Sequence, residues 1–202
     1  MNRRLLLTTA PIAALSFGAI TFGGSRPAHS AEVVERVMGD PDAPVTIIEY
    51  ASLTCPHCAN FHNDTWPAIK RDYIDTGKAK LVMRDFPLDQ LALAASMLAH
   101  CAGEERYFRF LDFFFANQQS WARASDPLGA LRQQSKFGGL TDAEMDACLA
   151  DQNMADAVLQ MSYQGQNEHG VRSTPTFVIN GEVVAGGRSV EEFSAILDRH
   201  LN

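Results

Sequence analysis

Val45-Thr46-Ile47-Ile48-Glu49-Tyr50, followed four residues later by Cys55-Pro56-His57-Cys58, decides the fold. The first six residues are mostly β-branched and nearly continuously apolar, which predicts a strand buried on both faces. Cys55 then stands where a helix begins, with Pro56 at the first helical position, where a missing N–H costs nothing. A helix start presents unpaired N–H groups and the positive end of the macrodipole. A Cys55 thiolate is stabilised there, and its pKa falls. Cys58 lies about one turn on, near enough to close a small disulfide ring. His57 adds a donor, or a positive charge, near the Cys55 sulfur. Cys-x-x-Cys at a strand-to-helix junction is the spelling of redox chemistry. The same spacing also fits half of a zinc site, but no second Cys-x-x-Cys follows, and His62 offers one further ligand. A purely structural bridge across two residues would be strained.

Outward from this centre, a helical stretch runs to about Thr76, interrupted at Trp66-Pro67 and ended by Gly77. Lys80 to Phe86 reads as a second strand, stopped by Pro87. Upstream, Val33 to Val37 fits a short strand, and Gly39 to Pro44 is turn chemistry. From Leu88 to Gly170 the periodicity is helical. Leu91, Ala94, Ala95, Leu98 and Cys101 form one stripe. Tyr107, Phe108, Phe110, Phe113, Phe114 and Phe115 read as a helical core. Asp126-Pro127 and Thr141-Asp142-Ala143-Glu144 spell helix starts, and Met154 to about Gln166 is amphipathic. After Thr174-Pro175, two short strands flank Asn180-Gly181, a strong hairpin signal, and Val190 to about Leu201 closes the chain as a helix. His62, His100, His169 and His200 belong to no constellation and read as surface or packing residues.

The 202 residues carry 17 basic and 24 acidic side chains, a net charge of −7, which argues against nucleic acid as a partner. A hydrophobic content of 46% with 20% charged residues fits a packed domain. Residues 1–30 read as an address. Arg3 and Arg4 precede an apolar run from Leu5 to Phe22, and Ala28-His29-Ser30 is a small-x-small cleavage site. Removing this signal peptide takes three arginines and no acid, so the net falls from −7 to −10. The expected location is the periplasm, where disulfides persist.

Together, Met38 to Val45, the Cys55-Pro56-His57-Cys58 tetrad, the helical block and Ser173-Thr174-Pro175-Thr176-Phe177-Val178-Ile179-Asn180-Gly181 resemble the DsbA family of periplasmic thiol–disulfide oxidoreductases. The resemblance covers nearly the whole chain after the leader. It implies an α/β thioredoxin fold over residues 31–87 and 171–202, with an all-helical insertion at 88–170. It implies a cis Pro175 that sets the Thr174 backbone beside Cys55, where a client peptide can pair like an added strand. Glu49 sits within an apolar strand, so burial is expected to raise its pKa. In similar proteins an acid here helps move the proton of the second cysteine, here Cys58. If Cys55 pairs with Cys58, the remaining pairing is Cys101–Cys148, a clip worth roughly 3–4 kcal/mol in the chain-entropy model; two buried free thiols are the alternative.

The expected activity is oxidation of reduced, unfolded exported proteins through a Cys55–Cys58 disulfide. Reoxidation would come from a membrane partner of the DsbB type, and no cofactor or metal is expected. A disulfide isomerase or reductase is the alternative direction, since Thr174 departs from the valine of the best-known oxidases. Only about fourteen residues lie between the leader and Val45, too few for a dimerisation module, so a monomer is expected. From another class, a periplasmic metal-binding protein would use the same cysteines, and a fold relative that binds glutathione covalently is a third reading.

Overall fold

The computed structural model describes residues 35–201. The signal-peptide reading of residues 1–30 and the first residues of the Val33–Val37 strand lie outside them. Five strands form one sheet in the order β1-β3-β2-β4-β5: β1 (Arg36–Met38), β2 (Val45–Ala51), β3 (Ala79–Asp85), β4 (Thr176–Ile179) and β5 (Glu182–Ala185). β2 runs parallel to β3, and the other neighbours are antiparallel. The continuous apolar reading of β2 is explained by its central place, with helices covering both sheet faces.

After β2 comes a broken helical rod: α1 (Pro56–Asn60), a π-helical turn (Phe61–Thr65), α2 (Trp66–Ile69) and a second π turn (Lys70–Ile74). The first π turn ends immediately before the Trp66-Pro67 break. Pro67 has no N–H to return to the preceding turn, so the ladder widens there. Gly77, at φ +73°, ends the rod. Between β3 and β4 the chain is helical: α3 (Gln90–Cys101), α4 (Glu104–Ala116), α5 (Gln118–Ala122), α6 (Pro127–Phe137), α7 (Asp142–Leu149) and α8 (Gln152–Glu168). Asp126 caps α6 through the Gly129 N–H, and Thr141 with Glu144 forms the capping box of α7. Asn180 (φ +44°) and Gly181 (φ +93°) make the hairpin between β4 and β5, and α9 (Val190–Leu201) packs on α2.

The stripe expected on α3 is only partly its buried face: Leu91, Ala94 and Cys101 are half-buried. Ala92, Ala95 and the run Ser96 to His100 are all buried, because α3 packs against α4, α6, α7 and α8 at once. Two large apolar cores result, beside a small cluster of Tyr50, Phe86, Val171 and Val178. One fills the space between β2, β4, α2 and α9, around Phe61, Ile69, Phe177, Phe193 and Leu197. The other is the interior of the helical block, around Tyr107, Phe114, Phe115, Trp121 and Leu131. Ala51, Leu53, Cys55, Cys58 and Met83 belong to that second core, so the cysteine pair sits on the seam between sheet and helices. Among the described residues, no helix is long and apolar enough to cross a membrane.

Candidate active site

The end of β2 delivers the chain to Cys55 through a loop held by several hydrogen bonds. The Cys55 N–H donates to the Ser52 carbonyl at 3.1 Å, and the Thr54 hydroxyl donates to Asp89 at 2.7 Å. The buried Gln118 amide, from α5, donates to the carbonyls of Leu53 (2.8 Å) and Cys55 (3.0 Å). Cys55 itself is the extended N-cap of α1, and its carbonyl accepts the first helical bond from Ala59 at 3.1 Å. Both cysteines are thiols and both are buried. The Cys55 thiol donates to the Thr174 carbonyl at 3.3 Å, and the Thr174–Pro175 peptide bond is cis.

The two sulfurs have opposite acidities. The thiol of Cys58 donates to Cys55 and holds its pKa down at about 5, against the opposing pull of burial. Thr174 and the backbone N–H groups of Cys58 and His57 add to the lowering. The Thr174 hydroxyl, buried and without a partner among the described residues, is the donor left for the sulfur once it is an anion. The helix start therefore contributes, but its neighbour's S–H contributes more than the N–H groups on which the sequence argument rested. His57 is exposed, and what it gives Cys55 is its backbone N–H. Burial pushes Cys58 well above the ordinary thiol range. Its bond to Cys55, the charge on that sulfur and the nearby charge of Glu49 push the same way.

Glu49 is fully buried, and its Oε1 lies 3.0 Å from His62 Nε2. His62 is itself buried, with its ring stacked on Phe115 at a centroid distance of 4.2 Å. The reading of the histidines as unaffiliated surface or packing residues is thus corrected. His62 pairs with Glu49, His100 with Asp85 (2.7 Å), His200 with Glu182 (2.9 Å) and His169 with the Tyr50 hydroxyl (3.1 Å). A signal for His62 was present, since it follows Cys58 by four residues and so shares its helix face. Gln118 had none: it lies 63 residues from Cys55 and acts through two backbone carbonyls. Cys101 and Cys148 are joined as a disulfide with a Cα–Cα distance of 6.1 Å, linking α3 to α7 and remote from Cys55 in the chain. Among the described residues, no three His, Cys, Asp or Glu side chains are grouped to hold a metal ion.

A family model described as thioredoxin matches residues 31–199. Among solved structures, alpha-DsbA1 of Wolbachia pipientis is 33% identical, with a TM-score of 0.77 over 85% of this chain and 96% of that one. The chain belongs to the DsbA family of thioredoxin-fold proteins. BdbD of Bacillus subtilis, at 25% identity and a TM-score of 0.63, covers 83% of this chain and 92% of its own. A Rickettsia bellii protein named as a protein-disulfide oxidoreductase is 32% identical over 83% of this chain. The chain spans 64% of the length of that rickettsial relative and 60% of its Rickettsia felis counterpart. A DsbA-family fold is what the resemblance implied, and six helices, α3 to α8, lie between β3 and β4.

Proposed function

We propose that this chain is an exported thiol–disulfide oxidase whose redox centre is Cys55–Cys58. The asymmetry of the two sulfurs carries the reading. With a pKa of about 5, Cys55 is about 99% thiolate at pH 7, where an ordinary thiol is ionised to a few per cent. Cys58 stays protonated. Such a pair is comfortable reduced, so its disulfide is readily given away.

A client thiolate attacks the Cys55 sulfur of the Cys55–Cys58 disulfide. The client–Cys55 bond forms, the ring bond breaks, and the electron pair leaves on Cys58, which takes a proton. The client's second thiolate then attacks the client sulfur of this mixed disulfide, and the pair leaves on Cys55 as thiolate. The client loses two electrons and the protein gains two. Thr174 and Pro175 lie against Cys55 and offer backbone to a client strand. Glu49 serves the Cys58 proton, and Cys101–Cys148 is structural.

In this reading residues 1–30 are a cleaved leader and residues 31–87 with 171–202 form the thioredoxin-like unit. Residues 88–170 form the insertion, and the protein works in the periplasm as a monomer. Its clients are reduced exported proteins, and a membrane reoxidase of the DsbB type restores the disulfide. The deciding measurement is the reduction potential of Cys55–Cys58, with Cys55→Ser as the control. A potential above about −180 mV, together with loss of client oxidation in the variant, is the expected result. A value near the −270 mV typical of thioredoxin would make the protein a reductase.

A further inference from the structure

We infer that His62 is the positioning residue through which Glu49 supplies and recovers the Cys58 proton. This rests on the thiol–disulfide exchange proposed above. Cys58 is the leaving group of the first step, and a bare Cys58 thiolate in that buried site is strongly disfavoured. Its proton must arrive as the ring bond breaks, and must depart when the disulfide is restored.

Three observations place His62 in that path. First, Glu49 Oε1 and His62 Nε2 are 3.0 Å apart, both residues are buried, and Glu49 is near enough for its charge to act on Cys58. Second, each partner keeps one buried polar atom, Glu49 Oε2 and His62 Nδ1, without a hydrogen bond among the described residues. Buried polar groups in folded proteins are otherwise nearly always paired. A relay needs this pattern: one open position on the carboxyl and one on the imidazole, with a shared hydrogen bond between. Third, the ring is fixed, stacked on Phe115 at 18° and flanked by Trp66 with ring centroids 6.0 Å apart.

The other ionisable groups facing the pair are few. Tyr107 on α4 feels the charge of Glu49. Asp112, exposed on α4, feels the charges of His62 and Lys70. The proton balance is simple. A proton held on the pair passes to the Cys58 sulfur as the Cys55–Cys58 bond breaks, and the imidazole takes a replacement from solvent. Reoxidation runs the transfer backwards. Imidazole suits the position because it gains or loses a proton near neutral pH and has two nitrogens, one for Glu49 and one for the next transfer.

The test follows reduction of the Cys55–Cys58 disulfide by a small dithiol across pH in the full chain, His62→Gln, Glu49→Gln and the double variant. Gln at position 62 keeps a polar side chain that cannot titrate. His62→Gln is expected to slow the step at least tenfold and to remove an inflection from the pH profile, while the Cys55 thiolate still titrates at about 5. Glu49→Gln should match it, and the double variant should be no slower than either, as expected of residues acting as a unit. On the unmodified chain, nuclear magnetic resonance should show the His62 ring nitrogen and carbon signals differing between the oxidised and reduced states. A wild-type rate and profile in His62→Gln, or identical His62 ring signals in both redox states, overturns the relay while leaving the oxidoreductase reading intact. A native chain that exchanges no disulfide overturns that reading, and this one with it.

Discussion

Two buried carboxylates stand on neighbouring parallel strands, Glu49 within β2 and Asp85 at the end of β3, and each is paired to a histidine. Their surroundings differ in one respect. Asp85 accepts from Ser96 (2.5 Å), His100 (2.7 Å) and Tyr107 (3.4 Å). His100 in turn accepts through Nδ1 from Arg36 at 3.4 Å, and the Arg36 guanidinium lies over the Tyr107 ring at 5.3 Å. Every oxygen of Asp85 is occupied. Glu49 has one partner, and its second oxygen and the second nitrogen of His62 have none among the described residues. A saturated network fixes a structure because no proton can move without breaking a bond. An unsaturated one leaves a proton somewhere to go. The same pair of residue types is thus a joint in one place and a carrier in the other.

Isosteric amides break the comparison most sharply. In Asp85→Asn the new NH2 meets either the His100 N–H, whose tautomer Arg36 holds, or the Ser96 hydroxyl, which must turn round to accept, and the charge on which all three donors converge is lost. Loss of about 3–5 kcal/mol is expected, a fall in Tm of about 6–20 °C for a chain of this size, with Cys55 still titrating at about 5. Calorimetry with a thiolate titration checks both halves. Acid should reach the same joint. Burial opposes ionisation of Asp85, but His100, Ser96 and Tyr107 together hold its pKa below the ordinary value. A depressed carboxyl stabilises the fold above its unfolded pKa near 3.9, and that stability is lost as pH falls below it toward the folded value. Unfolding measured down the acid range should show this loss in the native chain and not in Asp85→Asn.

The difference between the two pairs also separates what could be read from the sequence from what could not. The redox tetrad, the buried β2 strand, the Asn180-Gly181 hairpin and the caps at Asp126 and Thr141 are local signals, each written within a few neighbouring residues. Glu49 stood out because a carboxyl inside an apolar strand has no local excuse. Its partner did not stand out, because pairing His62 with Glu49 requires knowing which helix face lies on which strand. Asp85, His100, Ser96, Tyr107 and Arg36 come from four elements, and no spacing among them betrays the cluster. Gln118 is harder still, since an amide that holds two carbonyls leaves no mark on the sequence around either. The helical block concealed its own packing for the same reason: α3 looked like a one-sided stripe until four other helices were seen around it.

The joint has a second fastening, and removing it sharpens the contrast. Cys101 follows His100 directly, and its bridge to Cys148 ties the end of α3 to α7 across a separation of 47 residues. Replacing both cysteines by alanine is expected to cost about 3–4 kcal/mol by the chain-entropy model. The loss should show as faster amide exchange in α3 and α7, near the saturated pair, and not in β2. If exchange instead quickens around Cys55 and Glu49, the two regions are mechanically one, and the division between joint and carrier fails.

The smallest effect on stability is expected where the chemistry is most exposed to change. Gln in place of Glu49 can keep its carbonyl oxygen toward His62 and turn its NH2 to the position that Oε2 leaves vacant, so no donor is set against a donor. The hydrogen bond to His62 is kept and the side-chain volume is unchanged, so the stability of Glu49→Gln should lie within about 1 kcal/mol of the native chain, in either direction. Set beside Asp85→Asn, this is a direct comparison of two isosteric changes at two equally buried carboxylates on adjacent strands. Equal losses of stability in the two variants would mean that Glu49 is as fully held as Asp85, by partners such as bound water. Unequal losses, with the slower exchange chemistry in the variant that stayed stable, would show that an incomplete set of hydrogen bonds is what makes one of these carboxylates available for work.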